Sequence, residues 1–253
     1  MKVTAGDIFD FINIFASFDT QAKWDNAGFL AGDKAQAVTA AVCCLDVTDE
    51  EIMQAKRVGA QLIISHHPLI FNPIKSLLSN DVTYKLAQNN LSVISAHTNL
   101  DKAPGGVNDA LCTRLSMTHT KLPSDVADGF LNIGTIDKSL TPAEFAKYIS
   151  EKLNTSVDFV EGDTVVDKIA VCSGSGADFV PFAIENGCNA FVTGDAAYHE
   201  FLDAKKAGVS LFAAGHFETE AFIADVLCEK LSAEFPDVKF YSSERKAPIK
   251  TVI

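Results

Sequence analysis

The chain has 253 residues, 47% hydrophobic and 21% charged, the balance of a folded protein with a sizeable core rather than a disordered one. Its 33 acidic against 21 basic side chains give a formal charge of -12, which argues against nucleic-acid binding, because phosphate contacts need basic stripes and none is present. The longest apolar runs, such as 38–45, fall far short of the roughly 20 residues of a membrane span; six cysteines without C-x-x-C spacing read as reduced core thiols of a cytoplasmic protein.

Along the chain, strand-like and helix-like segments alternate. Ile8, Phe9, Phe11, Ile12 and Phe15 recur at helical spacing after Asp7, so the start reads as an amphipathic helix and not as a signal peptide. The run 38–45 reads as a buried strand. Thr48 and Glu51 form a capping box for a helix to about Arg57, Gly59 ends it, and 62–65 returns as a strand. A helix near 83–88, a strand at 91–96 and a helix over 107–115 after Gly105-Gly106 follow. The stretch 121–137 is rich in turn residues and is expected to join two lobes, roughly 1–120 and 139–253, of a single domain. Thr141, Pro142 and Glu144 start a helix to about Leu153. Strands are expected at 168–172, 190–193 and 209–213, and one long last helix over 218–235. This alternation predicts an α/β fold with a parallel or mixed sheet.

Four of the six histidines stand at the carboxyl ends of expected strands, where open α/β sheets place their ligand crevice. In Ser65-His66-His67-Pro68 the proline holds His67 extended, so the two imidazoles point apart and suit one ion each better than chelation of one. Asp101 closes the segment from His97. His216 and Glu220 are four apart and share a face if a helix starts near Phe217; Glu220 has two oxygens with which to bridge two cations. The set His66, His67, Asp101, His216 and Glu220 leaves coordination positions open, as catalytic sites do. Two ions about 3.5–4 Å apart generate hydroxide at neutral pH and polarise the bond it attacks. Imidazole and carboxylate donors suit Zn, Fe, Mn or Co rather than Ca or Mg. His97 reads as a catalytic group that orients a ligand or shuttles a proton, with metal binding as the other reading. Asp195 or His199 reads either as a hydrogen-bond partner of a metal ligand or substrate, or as a plain capping aspartate and a surface histidine. The segment 173–178 offers backbone amides for an anion, although it is not a dinucleotide fingerprint. His119 has no motif partner and reads as a surface residue. The pairs His97/Asp101 and His216/Glu220 form a weak internal echo, which suggests two similar lobes around a shared site.

The motifs 24–29 (WDNAGF), 65–71 (SHHPLIF), 96–101 (AHTNLD), 193–195 (TGD) and 215–220 (GHFETE) resemble, in order and spacing, the Nif-three-like family, whose bacterial members are often labelled GTP cyclohydrolase I type 2. The resemblance runs from about Phe11 to Pro248-Ile249. It implies two similar α/β lobes with mixed sheets packed around a shared dinuclear metal site, in a compact form without an inserted domain. The family's ligands fall on His66, His67, Asp101, His216 and Glu220, with Glu220 bridging. Phe217 stands where many members carry tyrosine. Two divalent ions per chain (Zn, Fe or Mn), a small-molecule substrate such as a nucleotide, and a ring-shaped homo-hexamer are implied with it. The function expected is a metal-dependent hydrolase of cyclohydrolase or phosphoester type. The alternative is a metal-binding adaptor or scaffold without catalysis.

Overall fold

Thr4 opens the first helix by a reciprocal cap: its hydroxyl accepts the Asp7 amide, and the Asp7 carboxylate accepts the Thr4 amide. The computed structural model describes residues 2–123 and 125–249. In chain order the elements are α1 (Ala5–Phe15), β1 (Gly28–Ala31), β2 (Ala40–Cys44), α2 (Asp49–Val58), β3 (Leu62–Ser65), α3 (Val82–Gln88), β4 (Ser92–Ser95) and α4 (Thr98–Lys102). There follow α5 (Val107–Arg114), β5 (Thr118–Lys121), β6 (Asn132–Thr135), α6 (Pro142–Leu153), β7 (Asp158–Val160), β8 (Ile169–Val171), α7 (Val180–Glu185), β9 (Ala190–Thr193) and α8 (Tyr198–Lys206). The chain closes with β10 (Ser210–Ala213), α9 (His216–Glu220), α10 (Ile223–Glu234) and β11 (Lys239–Ser242).

These elements form two units. The first takes the chain up to Gly106 and again from Ala221 to Lys246, and the second runs from Val107 to Glu220. In the first, five strands lie in the order β1-β4-β3-β2-β11; β1 is antiparallel to β4, and the other neighbours are parallel. β2, β3 and β4 are buried at every position, which is why β2 reads as an apolar run rather than an alternating strand. Each fully buried Ile or Leu here, such as Ile63, Ile64 and Ile94, contributes about 1.5–3 kcal/mol. α2 starts at the Thr48–Glu51 box and stops where Gly59 turns left-handed at φ 67°.

In the second unit six strands lie in the order β5-β6-β8-β9-β10-β7, with β8, β9 and β10 parallel and the other pairs antiparallel. Phe145 of α6 is fully buried and meets Phe212 of β10 edge-on at 5.0 Å between centroids. In both sheets the parallel strands end along one edge, and the segments that leave those ends carry His66, His67, His97 and His216.

Three expectations need correction. The stretch 121–137 is not a joint between lobes: it contains β6, which pairs with β5 inside the second sheet, and the Asn132 side chain is tied to Asp109 at 2.6 Å. The units divide instead at Gly106, and the last helix and strand return to the first unit. The expected last helix is two helices, α9 and α10; Thr219 bonds back to the Gly215 or His216 carbonyl, a local competitor of the helical ladder. No helix among the described residues is long and apolar enough to cross a membrane.

Candidate metal centre

In the first unit, β2, β3 and β4 deliver Asp46, His66-His67 and His97 to one edge of the sheet. The ladder continues past the strand ends, with the His66 amide on Cys44 O at 3.0 Å, His67 on Leu45 O at 2.9 Å and Ala96 on Ser65 O at 2.9 Å. The buried Ser65 and Ser95 hydroxyls, 2.8 Å apart, tie β3 to β4 below them. His66, His67 and His97 therefore have fixed backbones, and their candidate ligand nitrogens lie within 4.8 Å of one another.

Their tautomers follow from their partners. His66 Nδ1 lies 2.9 Å from the Ala96 carbonyl, which can only accept, so this nitrogen carries a hydrogen and the Nε2 of the neutral ring carries the lone pair. That Nε2 faces Asp101 Oδ1 at 3.4 Å, with His66 fully buried and Asp101 nearly so. In a neutral ring that lone pair faces a carboxylate oxygen, and the gap is longer than the 2.7–2.9 Å of a charge-assisted hydrogen bond. Two donors on a tetrahedral ion with bonds of about 2.1 Å stand about 3.4 Å apart. Asp101 reaches this place because α4 turns directly after His97, whose carbonyl accepts the Asp101 amide at 3.0 Å.

His67 and His97 are held in the same manner, each by a carboxylate that the sequence reading did not assign. His67 Nδ1 donates to Asp46 Oδ1 at 2.6 Å, and His97 Nδ1 to Asp25 Oδ1 at 2.9 Å. Burial opposes ionisation of Asp25, but hydrogen bonds from His97, and from the Thr98 hydroxyl and amide, outweigh it and hold the carboxyl at about 2. Asp46 is likewise held low despite its burial, chiefly by its bond from His67. In each case the hydrogen sits on Nδ1 and Nε2 keeps the lone pair, an arrangement common among metal-ligating histidines.

The second unit also carries a histidine beyond its parallel strands. Gly194-Asp195 follow β9, Ala214-Gly215 follow β10, and α9 begins at His216, so His216 and Glu220 share a face. His216 Nδ1 lies 2.7 Å from Asp195 Oδ2, and its Nε2 lies 3.1 Å from Glu220 Oε2. One imidazole thus stands between two carboxylates, and Glu220 is buried. Gly174, at φ 58°, lies against this pair: a Cβ there would overlap the Glu220 carboxylate and approach His216 Cε1 to 3.3 Å.

Asp195 thus hydrogen-bonds His216, whereas His199 lies exposed on α8. Of the segment 173–178, expected to offer amides to an anion, three amides are already taken. The Ser173 amide donates to Asn108 Oδ1 at 2.8 Å, the Gly174 amide to Thr219 Oγ1 at 3.3 Å and the Gly176 amide to Thr193 Oγ1 at 3.0 Å, so these amides are used internally. His119 is half-buried on β5 rather than on the surface, with Nε2 3.6 Å from Asp109 Oδ1. The sequence signal that would have found Asp46 is its place directly after a buried strand that runs parallel to the one ending in His66.

A model of the family Duf34/NIF3 (NGG1p interacting factor 3) matches residues 3–248. A Clostridium perfringens protein named GTP cyclohydrolase 1 type 2 homolog is 32% identical over 258 residues, covering 97% of this chain and 98% of the relative. A Lactococcus lactis protein of the same name is 31% identical over 240 residues, covering 92% and 93%. The crystal structure of a Staphylococcus aureus hypothetical protein matches with a TM-score of 0.92 at 28% identity, covering 100% of both chains. A Bacillus cereus protein related to NIF3 shares the fold, with a TM-score of 0.88 at 21% identity over 100% of both chains.

Proposed function

Because the chain belongs to the Duf34/NIF3 family, we propose that it is a hydrolase that holds two divalent metal ions and acts on a small molecule, with a nucleotide such as GTP as the first candidate. The proposed ligands are His66, His67, Asp101, His216 and Glu220, with Glu220 bridging. The observation that carries this reading is that His66, with Nδ1 on a carbonyl, aims Nε2 at a buried carboxylate oxygen 3.4 Å away, a spacing that suits a shared cation. Zn, Mn and Fe(II) fit the imidazole and carboxylate donors. When bound, such ions acidify water and polarise the bond that it attacks.

The protein's own groups then divide the work. Asp46 and Asp195 hold the Nδ1–H of His67 and His216 and so aim each Nε2. Asp25 stays ionised and fixes His97 through Nδ1, which leaves His97 Nε2 to accept or return a proton at the reacting bond. His97 lies edge-on to His66 and His67, with centroids 5.2 and 5.7 Å away, near enough to serve the same substrate. Assembly into a hexameric ring belongs to the same reading and is checked by the mass in solution.

The test is formate release from GTP by protein reconstituted separately with Zn, Mn and Fe(II), with Glu220→Gln and chelated samples as blanks. Release that needs both metal and Glu220 is expected. No release from protein shown to hold two ions rules out the cyclohydrolase, and inactivity on phosphoesters as well leaves the adaptor.

A further inference from the structure

We infer that Arg245 is a positioning residue for the metal centre, fixing Asp46 so that Asp46 fixes His67. This rests on the reading of His67 as a ligand. β11 runs parallel to β2, pairing Ser242 with Cys43, so the chain that leaves β11 emerges beside the chain that leaves β2 toward Asp46. The next residues are pinned there. The Ser243 amide donates to Cys43 O at 2.8 Å, the Ser243 hydroxyl to Glu51 Oε1 at 2.7 Å, and the Glu244 amide to Gln54 Oε1 at 3.1 Å. The Gln54 side-chain amide returns to Ser242 O at 2.9 Å, and the Arg245 amide to Ser243 Oγ at 3.1 Å.

On this base the Arg245 side chain lies largely buried, with Nε 3.7 Å from Glu51 Oε1 and a guanidinium nitrogen bonded to Asp46 Oδ2. Asp46 divides its two oxygens: Oδ2 takes the guanidinium and Oδ1 takes His67 Nδ1. Asp46 is about one-third exposed, so without Arg245 its carboxylate can turn toward water and release His67. The planar guanidinium prevents that turn, a task for which a flexible lysine is a poorer substitute. The consequence for His67 is tautomer choice: Nδ1–H is favoured only while Oδ1 faces it.

The experiment combines histidine ring 15N NMR of the metal-free protein with metal titration against a competing chelator. Wild type is expected to show His67 as the Nδ1–H tautomer. In Arg245→Met, both tautomers appear and affinity for one ion falls roughly ten-fold, the effect expected of a group behind a ligand; Arg245→Lys recovers part of the loss. A purely structural role would lower the melting temperature of the metal-free protein without moving tautomer or affinity, and that result overturns the inference. If Arg245→Met does not fold, Arg245→Lys decides alone: wild-type tautomer and affinity there also overturn it. His67→Ala separates the two readings, because unchanged metal content in that variant refutes the ligand assignment itself, whatever Arg245 does.

Discussion

Gly174→Ala perturbs the candidate centre without replacing a candidate ligand. Gly174 sits at φ 58°, where an L side chain costs roughly 1–2 kcal/mol. At about 2–4 °C per kcal/mol for a protein approaching this size, the metal-free variant should melt about 2–8 °C lower. The added methyl would also occupy the place of Glu220 Oε1, so the carboxylate must swing aside by about the length of a bond. Metal–oxygen bonds of about 2.0–2.2 Å do not survive such a shift. The lost contact should weaken metal binding at least about ten-fold, or about 1.4 kcal/mol. Calorimetry of the metal-free protein reads the first effect, and chelator competition reads the second. A variant that melts lower yet binds metal as tightly as wild type would refute the placement of Glu220 among the ligands.

Asp195→Asn should weaken the ion on His216 by about 10–100-fold while His67 keeps its affinity, as read by competition titration. Asp25 has a folded pKa of about 2 against 3.8, so its stabilisation is complete above the unfolded value and disappears as the pH falls through 2. Urea unfolding of metal-free Asp25→Asn should accordingly show a deficit of about 1–2 kcal/mol at pH 7 that vanishes near pH 2. Phe145→Ala empties a fully buried site against Phe212 and should cost about 3–5 kcal/mol by the same assay.

The sequence made β2, β3 and β4 legible because all three are buried on both faces and read as apolar runs ending in turn or polar residues. The capping boxes at Thr48–Glu51 and Thr141–Glu144 placed their helices for a local reason: each is closed by bonds within four residues. β1, β5, β7 and β11 were not legible. They are short and incompletely buried, and each is defined by a partner distant in sequence or by an edge position. At the centre, His66, His97 and His216 announced themselves by standing just after strands. Asp46 and Asp25 did not, since their roles come from side-chain bonds across 21 and 72 residues. The glycine-rich stretch around Gly174 suggests an anion site, but the Gly174 amide bonds Thr219 and its missing side chain leaves room for Glu220.

The central claim is that His66, His67, Asp101, His216 and Glu220 hold two divalent ions. It is tested most directly by elemental analysis of the chain after reconstitution with Zn, Mn or Fe(II), beside His66→Ala and Glu220→Gln. Two ions per wild-type chain are expected, with at least one lost in each variant whose melting behaviour shows it folded. A wild-type chain that retains no metal, or variants that retain both ions, would contradict it.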